Sequence, residues 1–175
     1  PPPGSGASTP AEPTAPRADE LARRLREELD IPVFHDDQHG TAIVVLAALT
    51  NALRVVGKAI EDVRIVVSGV GAAGNAIIAL LQGQGAGNIV AFDRQGAIHP
   101  GASLTDEHRR RLAETTNPDG FTGTLREGLA GADVFIGVSG PNILTGDDVA
   151  TRAGDARVVG LARAAPGGAR VAAAR

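Results

Sequence analysis

The sequence predicts an α/β fold, a doubly wound parallel sheet with helices on both faces. Two observations carry that expectation. A β-branched run at 63–67 and short apolar runs at 89–92 and 134–138 alternate with stretches of helical length. A glycine-rich turn, Ser68-Gly69-Val70-Gly71-Ala72-Ala73-Gly74, joins the first run to the helix after it. Alternation of this kind implies a parallel sheet covered on both sides, and a chain of 175 residues is about the size of one such domain.

Residues 1–16 are Pro, Ala, Ser, Thr and Gly with the single acid Glu12, so they offer nothing to bury against the entropy of ordering and predict a disordered tail. The folded domain is expected over 17–161. Leu21, Leu25, Glu28 and Leu29 follow helical spacing up to the break at Asp30-Ile31-Pro32. The polar block 35–40 is expected to be non-helical, because Pro32 and Gly40 bracket it. Residues 41–56 are almost wholly apolar and too long for a strand, which predicts a buried helix ended by Gly57.

Strand 63–67, helix 72–82 and strand 89–92 then form a βαβ unit. A helix over 105–114 is closed by the turn Asn117-Pro118-Asp119-Gly120, and Thr124 with Glu127 has capping-box spacing for a short helix. Strand 134–138 follows. Thr145 with Asp148 repeats the capping box before a helix to about 153, and 158–161 reads as a fourth strand. Residues 162–175 are Ala, Gly and Arg apart from Pro166 and Val171, with little to bury, and predict a second disordered tail.

Composition removes several function classes. Four Phe are the only aromatic residues and the net charge is −3, so neither base-stacking surfaces nor a basic field for phosphate backbones or anionic lipid is available. Nucleic acid and membrane are excluded as partners. With no Cys there is no thiolate chemistry, and no apolar stretch approaches the ~20 residues that cross a bilayer. A soluble cytoplasmic protein acting on small molecules is the expectation.

The glycine turn matches G-x-G-x-x-G in the context the motif requires, leaving a strand and opening a helix, as in Rossmann-like folds. Gly69 would permit the tight turn, Gly71 would let the backbone approach a pyrophosphate, and Gly74 would let helix and strand pack closely. Val70, Ala72 and Ala73 complete the loop, and the phosphates would sit on its free N–H groups at the positive end of the helix. Asp93 ends the second strand roughly twenty residues beyond Gly69, the place of the acid that accepts from the adenosine ribose hydroxyls. That favours NAD, while the adjacent Arg94 would partly offset repulsion of the 2′-phosphate of NADP. Gly137 and Ser139, at the end of the third strand, lie where ligands of open α/β sheets bind, and small residues there would admit a nicotinamide ring, unless they simply lead into a tight turn made by Gly140-Pro141.

The block His35-Asp36-Asp37-Gln38-His39-Gly40-Thr41 places carboxylates before an apolar helix. Carboxylate oxygens suit a hard cation such as Mg²⁺ or Mn²⁺; adjacent side chains diverge, so one of Asp36 and Asp37 should ligate and the other hydrogen-bond, unless both merely face a helix N-terminus. His35 and His39 have i, i+4 spacing, but a non-helical stretch would not bring them together on zinc.

These pieces resemble the cofactor-binding domain of bacterial malic enzymes, the NAD(P)-dependent oxaloacetate-decarboxylating malate dehydrogenases. The resemblance runs from about Ala15 to Leu161. It is carried by the run from Ile31 to Ala42, by Val67-Ser68-Gly69 with Gly71-Ala72-Ala73-Gly74, by Asp93-Arg94 with Gly96, and by the run from Ala132 to Ser139.

The resemblance implies oxidative decarboxylation of malate to pyruvate and CO₂ with reduction of NAD(P), assisted by Mg²⁺ or Mn²⁺. It implies Asp37 as metal ligand with Asp36 beside it, the Gly69 loop on the pyrophosphate, Asp93 on the ribose, and a homo-oligomer in the full-length family. The family's tyrosine acid and lysine base belong to an N-terminal domain expected before Ala15, so this chain resembles a fragment lacking that domain. It has no Tyr, and its single Lys, Lys58, stands outside the lysine motif. A metal-binding Glu-Asp pair is replaced by Ala11-Glu12-Pro13, and an Ala-Asn-Pro motif by Ala162-Arg163-Ala164. The alternative is a non-catalytic NAD-binding or subunit-interaction fragment. An amino-acid dehydrogenase domain would share the glycine loop but gives no reason for the block 35–41.

Overall fold

The strands are β1 (Arg64–Ser68), β2 (Asn88–Asp93), β3 (Gly96–Ala97), β4 (Val134–Gly137) and β5 (Arg157–Gly160), and in a computed structural model they form one sheet ordered β3-β2-β1-β4-β5. The structure describes residues 21, 24–25, 27–31, 33–34, 36–104, 106–140, 143–144 and 157–160, with backbone alone at 37, 38 and 157–160. Both expected tails and the helix expected after Thr145 lie outside these residues. Helices are α1 (Thr41–Val56), α2 (Ala72–Gly83), α3 (Glu107–Thr115) and α4 (Leu125–Gly128).

β1 pairs in parallel with β2 and β4, and β4 in parallel with β5, so the expected doubly wound arrangement is present. The chain leaves β1 through α2 to reach β2, then returns across β1 to β4. Because parallel crossovers are right-handed, reversing direction across the sheet sends the second crossover to the opposite face. Side chains sort accordingly. Ile65, Val67, Ile89, Ala91, Val134 and Ile136 pack with α1, α2 and α3 on one face. Val66, Val90, Phe92 and Phe135 pack with Leu125 of α4, Leu129 and Ala132 on the other.

Four expectations need correction. The sheet is mixed, because β3 pairs antiparallel with β2 at its edge; two residues carry no periodicity to read. The block expected to be irregular is a π-helical turn, Asp36–Gly40, running straight into α1 with Gly40 in right-handed helical conformation (φ −61°, ψ −49°). Gly40 is therefore not a breaker; the Asp36 carboxylate lies over it, in the space that a Cβ would take. α1 is not buried all round. Ala42, Val45, Leu49 and Leu53 are buried, while Ile43, Val44 and Val55 are 54%, 57% and 82% exposed. Finally, the cap of α3 is Asp106, which accepts from the Arg109 N–H at 2.8 Å, so the helix starts later than 105.

Other expectations hold. Gly57 ends α1 at φ +68°, Thr124 and Glu127 form a reciprocal capping box, and described residues between 21 and 28 are helical. β5 begins one residue before the expected strand. Asn117, at φ +56°, anchors the predicted turn: its Nδ2 donates to the carbonyls of Ile98 and Phe121, and its Oδ1 accepts from the Phe121 N–H.

Candidate functional site

The sheet order changes direction between β1 and β4, and the loops leaving those two strands meet there. Ser68 ends β1 opposite Gly137, the last residue of β4. The Val138 N–H donates to the Ser68 carbonyl at 2.9 Å, and the Ser68 and Ser139 hydroxyls lie 3.0 Å apart. Ser68 is buried and Ser139 exposed, so the pair runs from the core to the mouth of the crevice. In open α/β sheets this switch point, beyond the carboxyl ends of the strands, is where ligands enter.

The three motif glycines meet three different constraints. Gly69 adopts φ +106°, and a Cβ on it would stand 2.9 Å from both the N and the Cβ of Ser139, so its position needs both left-handed backbone and bare space. A Cβ on Gly74 would run into the Gly69 carbonyl, which closes α2 against the turn. Gly71 is the opposite case. Apart from its chain neighbours, no atom of the described residues lies within 4 Å of where its Cβ would be, so the crevice is open at that point among the described residues.

Gly71 is also the N-cap of α2 and supplies no side-chain cap. The first N–H groups of α2, from Ala72, Ala73 and Gly74, therefore lack intrahelical acceptors and present partial positive charge at the opening. Val70, 7% exposed, packs into the core and ties the loop down.

Asp93 closes β2. Its Oδ1 accepts from the Gln95 N–H at 2.8 Å and its Oδ2 from Arg109 Nε at 3.0 Å, while Arg94 is exposed beside it. Arg109 also pairs with Asp106. Burial works against the Arg109 charge, but the two carboxylates outweigh it and raise its pKa further. The backbone N–H of Arg109, aided by its guanidinium, holds the Asp106 carboxyl below the ordinary carboxylate range. Sequence reasoning missed Arg109: it sits in an Arg run that reads as a solvated helix face, and no local motif ties it to Asp93.

The acidic block is less complete. The π-helical turn packs against α2, the helix that carries the glycine loop, so both motifs share one support. Asp36 is exposed with its carboxylate over Gly40; for Asp37 the backbone alone is described, and His35 lies outside the described residues. His39 stacks near Phe34, ring centroids 5.3 Å apart. Among the described residues no group of three His, Cys, Asp or Glu side chains converges, so they do not complete the roughly six-oxygen shell of a hard cation.

Lys58 lies elsewhere. Its Nζ donates to Asp133 Oδ1 at 2.7 Å, immediately before β4 and at the end of the sheet opposite the crevice. Among the described residues no helix is long and apolar enough to cross a membrane.

Comparison with known proteins agrees with this fold. The malic enzyme NAD-binding domain matches residues 38–152. The NAD-dependent malic enzyme of Geobacillus stearothermophilus is 50% identical over 153 residues, covering 87% of this chain and 32% of its own length. The NADP-dependent malic enzyme of Halomonas elongata is 44% identical over 77% of this chain and 32% of its own. A crystal structure of the NAD-dependent malic enzyme of Thermotoga maritima superposes with TM-score 0.82 at 43% identity, over 85% of this chain and 40% of that one. This chain thus spans about a third of the length of these curated relatives. With a matching family model over most of its length and a common fold, the chain belongs to the malic-enzyme NAD-binding domain family.

Proposed function

We propose that this chain supplies the dinucleotide site, and part of a divalent-ion site, of an enzyme that oxidises malate to pyruvate and CO₂ while reducing NAD(P). The observation that carries the reading is the open position at Gly71, beside uncapped helix N–H groups at the topological switch point.

Gly69, Val70, Gly71, Ala72, Ala73 and Gly74 would cradle the pyrophosphate. Asp93 would accept from the adenosine ribose, with Arg94 and Arg109 tempering its charge. Gly137 and Ser139 would border the nicotinamide, which takes the hydride when bound. Asp37, with Asp36 beside it, would be this chain's contribution to Mg²⁺ or Mn²⁺, the remaining ligands coming from residues outside those described.

What this chain's residues do is bind, orient and exclude water from one face of the cofactor. Proton transfer is not among their tasks. The sequence has no Tyr, and Lys58 is engaged with Asp133 away from the crevice. General acid–base groups ordinarily contribute ~10²- to 10⁴-fold to rate, so the chain alone binds NAD(P) and turns malate over slowly or not at all. The complete enzyme is proposed to be a cytoplasmic homo-oligomer. Calorimetric titration of NAD and NADP, run beside an assay of malate-dependent reduction with Mn²⁺, tests the reading. Binding is expected, and its absence with both cofactors would refute it.

A further inference from the structure

We infer that Asn75 is a positioning residue that turns the Gly71 N–H toward the pyrophosphate, an inference that rests on the dinucleotide reading above. Asn75 occupies the first turn of α2, just past the glycine motif. Its Nδ2 reaches back to donate to the Val70 carbonyl at 2.9 Å, while its own N–H donates to the Gly71 carbonyl at 3.0 Å. One residue thus holds the carbonyls on both sides of the Gly71 N–H and Cα.

The planarity of the peptide gives the first contact its consequence. In a trans peptide the carbonyl and the N–H that follows it point in opposite directions. Drawing the Val70 oxygen toward Asn75 therefore swings the Gly71 N–H away from the helix, and around Gly71 the space is open. Left unheld, that peptide could turn its oxygen toward the crevice, where an anion would be repelled and the carbonyl hydrated instead.

A second observation separates this role from ordinary helix support. Asn75 Oδ1 is buried with no hydrogen-bond partner among the described residues. A buried amide with one unmade acceptor costs stability that an apolar side chain of the same shape would not. Asn75 is therefore a poor choice for holding α2 together and a reasonable one for fixing a single peptide. The acceptor at Val70 is a carbonyl, which requires the amide nitrogen on that side.

The test uses the whole chain with Asn75→Leu, which removes the donor and the unmade acceptor while keeping the volume, and Asn75→Ala as a second variant. Thermal unfolding, titration with ADP-ribose and with NAD, and the ¹⁵N–¹H resonance of Gly71 are compared with the parent. The melting temperature of Asn75→Leu is expected within a few degrees of the parent, because removing the unmade acceptor offsets the bond lost at the Val70 carbonyl. Both ligands should bind about 3- to 10-fold more weakly to either variant, as loss of one hydrogen bond predicts. The ligand-induced shift of the Gly71 N–H should shrink. If the parent binds and both folded variants bind equally well, with the same Gly71 shift, the positioning role is overturned while the cofactor site stands. Weaker binding with an undiminished Gly71 shift also overturns it. If the parent binds neither ligand, the cofactor reading itself fails and this inference with it.

Discussion

Arg109 Nε donates to Asp93 Oδ2 at 3.0 Å, joining the first turn of α3 to the carboxyl end of β2. The acid proposed to meet the ribose therefore carries its own counterion. An Asp in this place ordinarily repels a 2′-phosphate, whereas an Arg within reach accommodates one. Replacing Asp93 by Ser should weaken NAD about tenfold and weaken NADP less, so that the ratio of their dissociation constants moves toward NADP. Paired calorimetric titrations measure that ratio; an unchanged ratio would remove Asp93 from cofactor choice.

Gly74→Ala should destabilise the fold by about 3 kcal/mol, because the added carbon meets the Gly69 carbonyl, which is backbone and cannot step aside. Chemical denaturation reads the loss directly. A cost below about 0.5 kcal/mol, the level of an ordinary surface change, would show that α2 and the turn are not packed as described.

Acidity acts at the other end of the sheet. Burial works to raise the Asp133 pKa, but the Lys58 ammonium and the Arg64 N–H outweigh it and hold the carboxyl below its ordinary value. Since the folded value is depressed, the stabilisation is present above the unfolded value of ~4 and is lost as pH falls through the folded value. Asp133→Asn should therefore cost about 1–2 kcal/mol at neutral pH and progressively less below pH ~4. Urea unfolding of both proteins across pH ~3 to ~7 checks the convergence, and a gap of constant size would contradict it.

Asn117→Ala should cost about 3 kcal/mol, since it leaves the carbonyls of Ile98 and Phe121 and the Phe121 N–H without their partner and puts a residue less tolerant of left-handed backbone at φ +56°. Asn117→Gly should recover the backbone part, roughly 1 kcal/mol. Equal losses in the two variants would mean that the left-handed conformation carries no strain.

The legible parts of this fold are those with a period or a motif. Parallel strands buried on both sides announce themselves as continuous apolar runs, as at Ile65–Val67 and Val134–Ile136, and the glycine loop is recognisable because each glycine answers a distinct steric demand. Other features are hidden from the sequence for physical reasons. β3 is too short to have a pattern. The π-helical turn at Asp36–Gly40 runs against the expectation set by Pro32 and Gly40, because Gly40 adopts ordinary right-handed helical angles here and continues into α1. Arg109 and Asp93 meet through tertiary packing of α3, whereas Arg94 stands out only because it is adjacent in sequence. Likewise the apolar content of α1 reads as burial all round, although one face, Ile43, Val44 and Val55, is left uncovered by the described residues.

The most direct measurement is calorimetric titration of NAD into the chain bearing Gly71→Val, alongside the parent. Because no described residue other than its chain neighbours lies within 4 Å of a Cβ at Gly71 and its backbone is extended, the substitution should leave the melting temperature within a few degrees. It fills the space through which the phosphates must approach, so NAD affinity should fall at least tenfold. A folded Gly71→Val variant that binds NAD as tightly as the parent would place the dinucleotide elsewhere and contradict the assignment of this crevice.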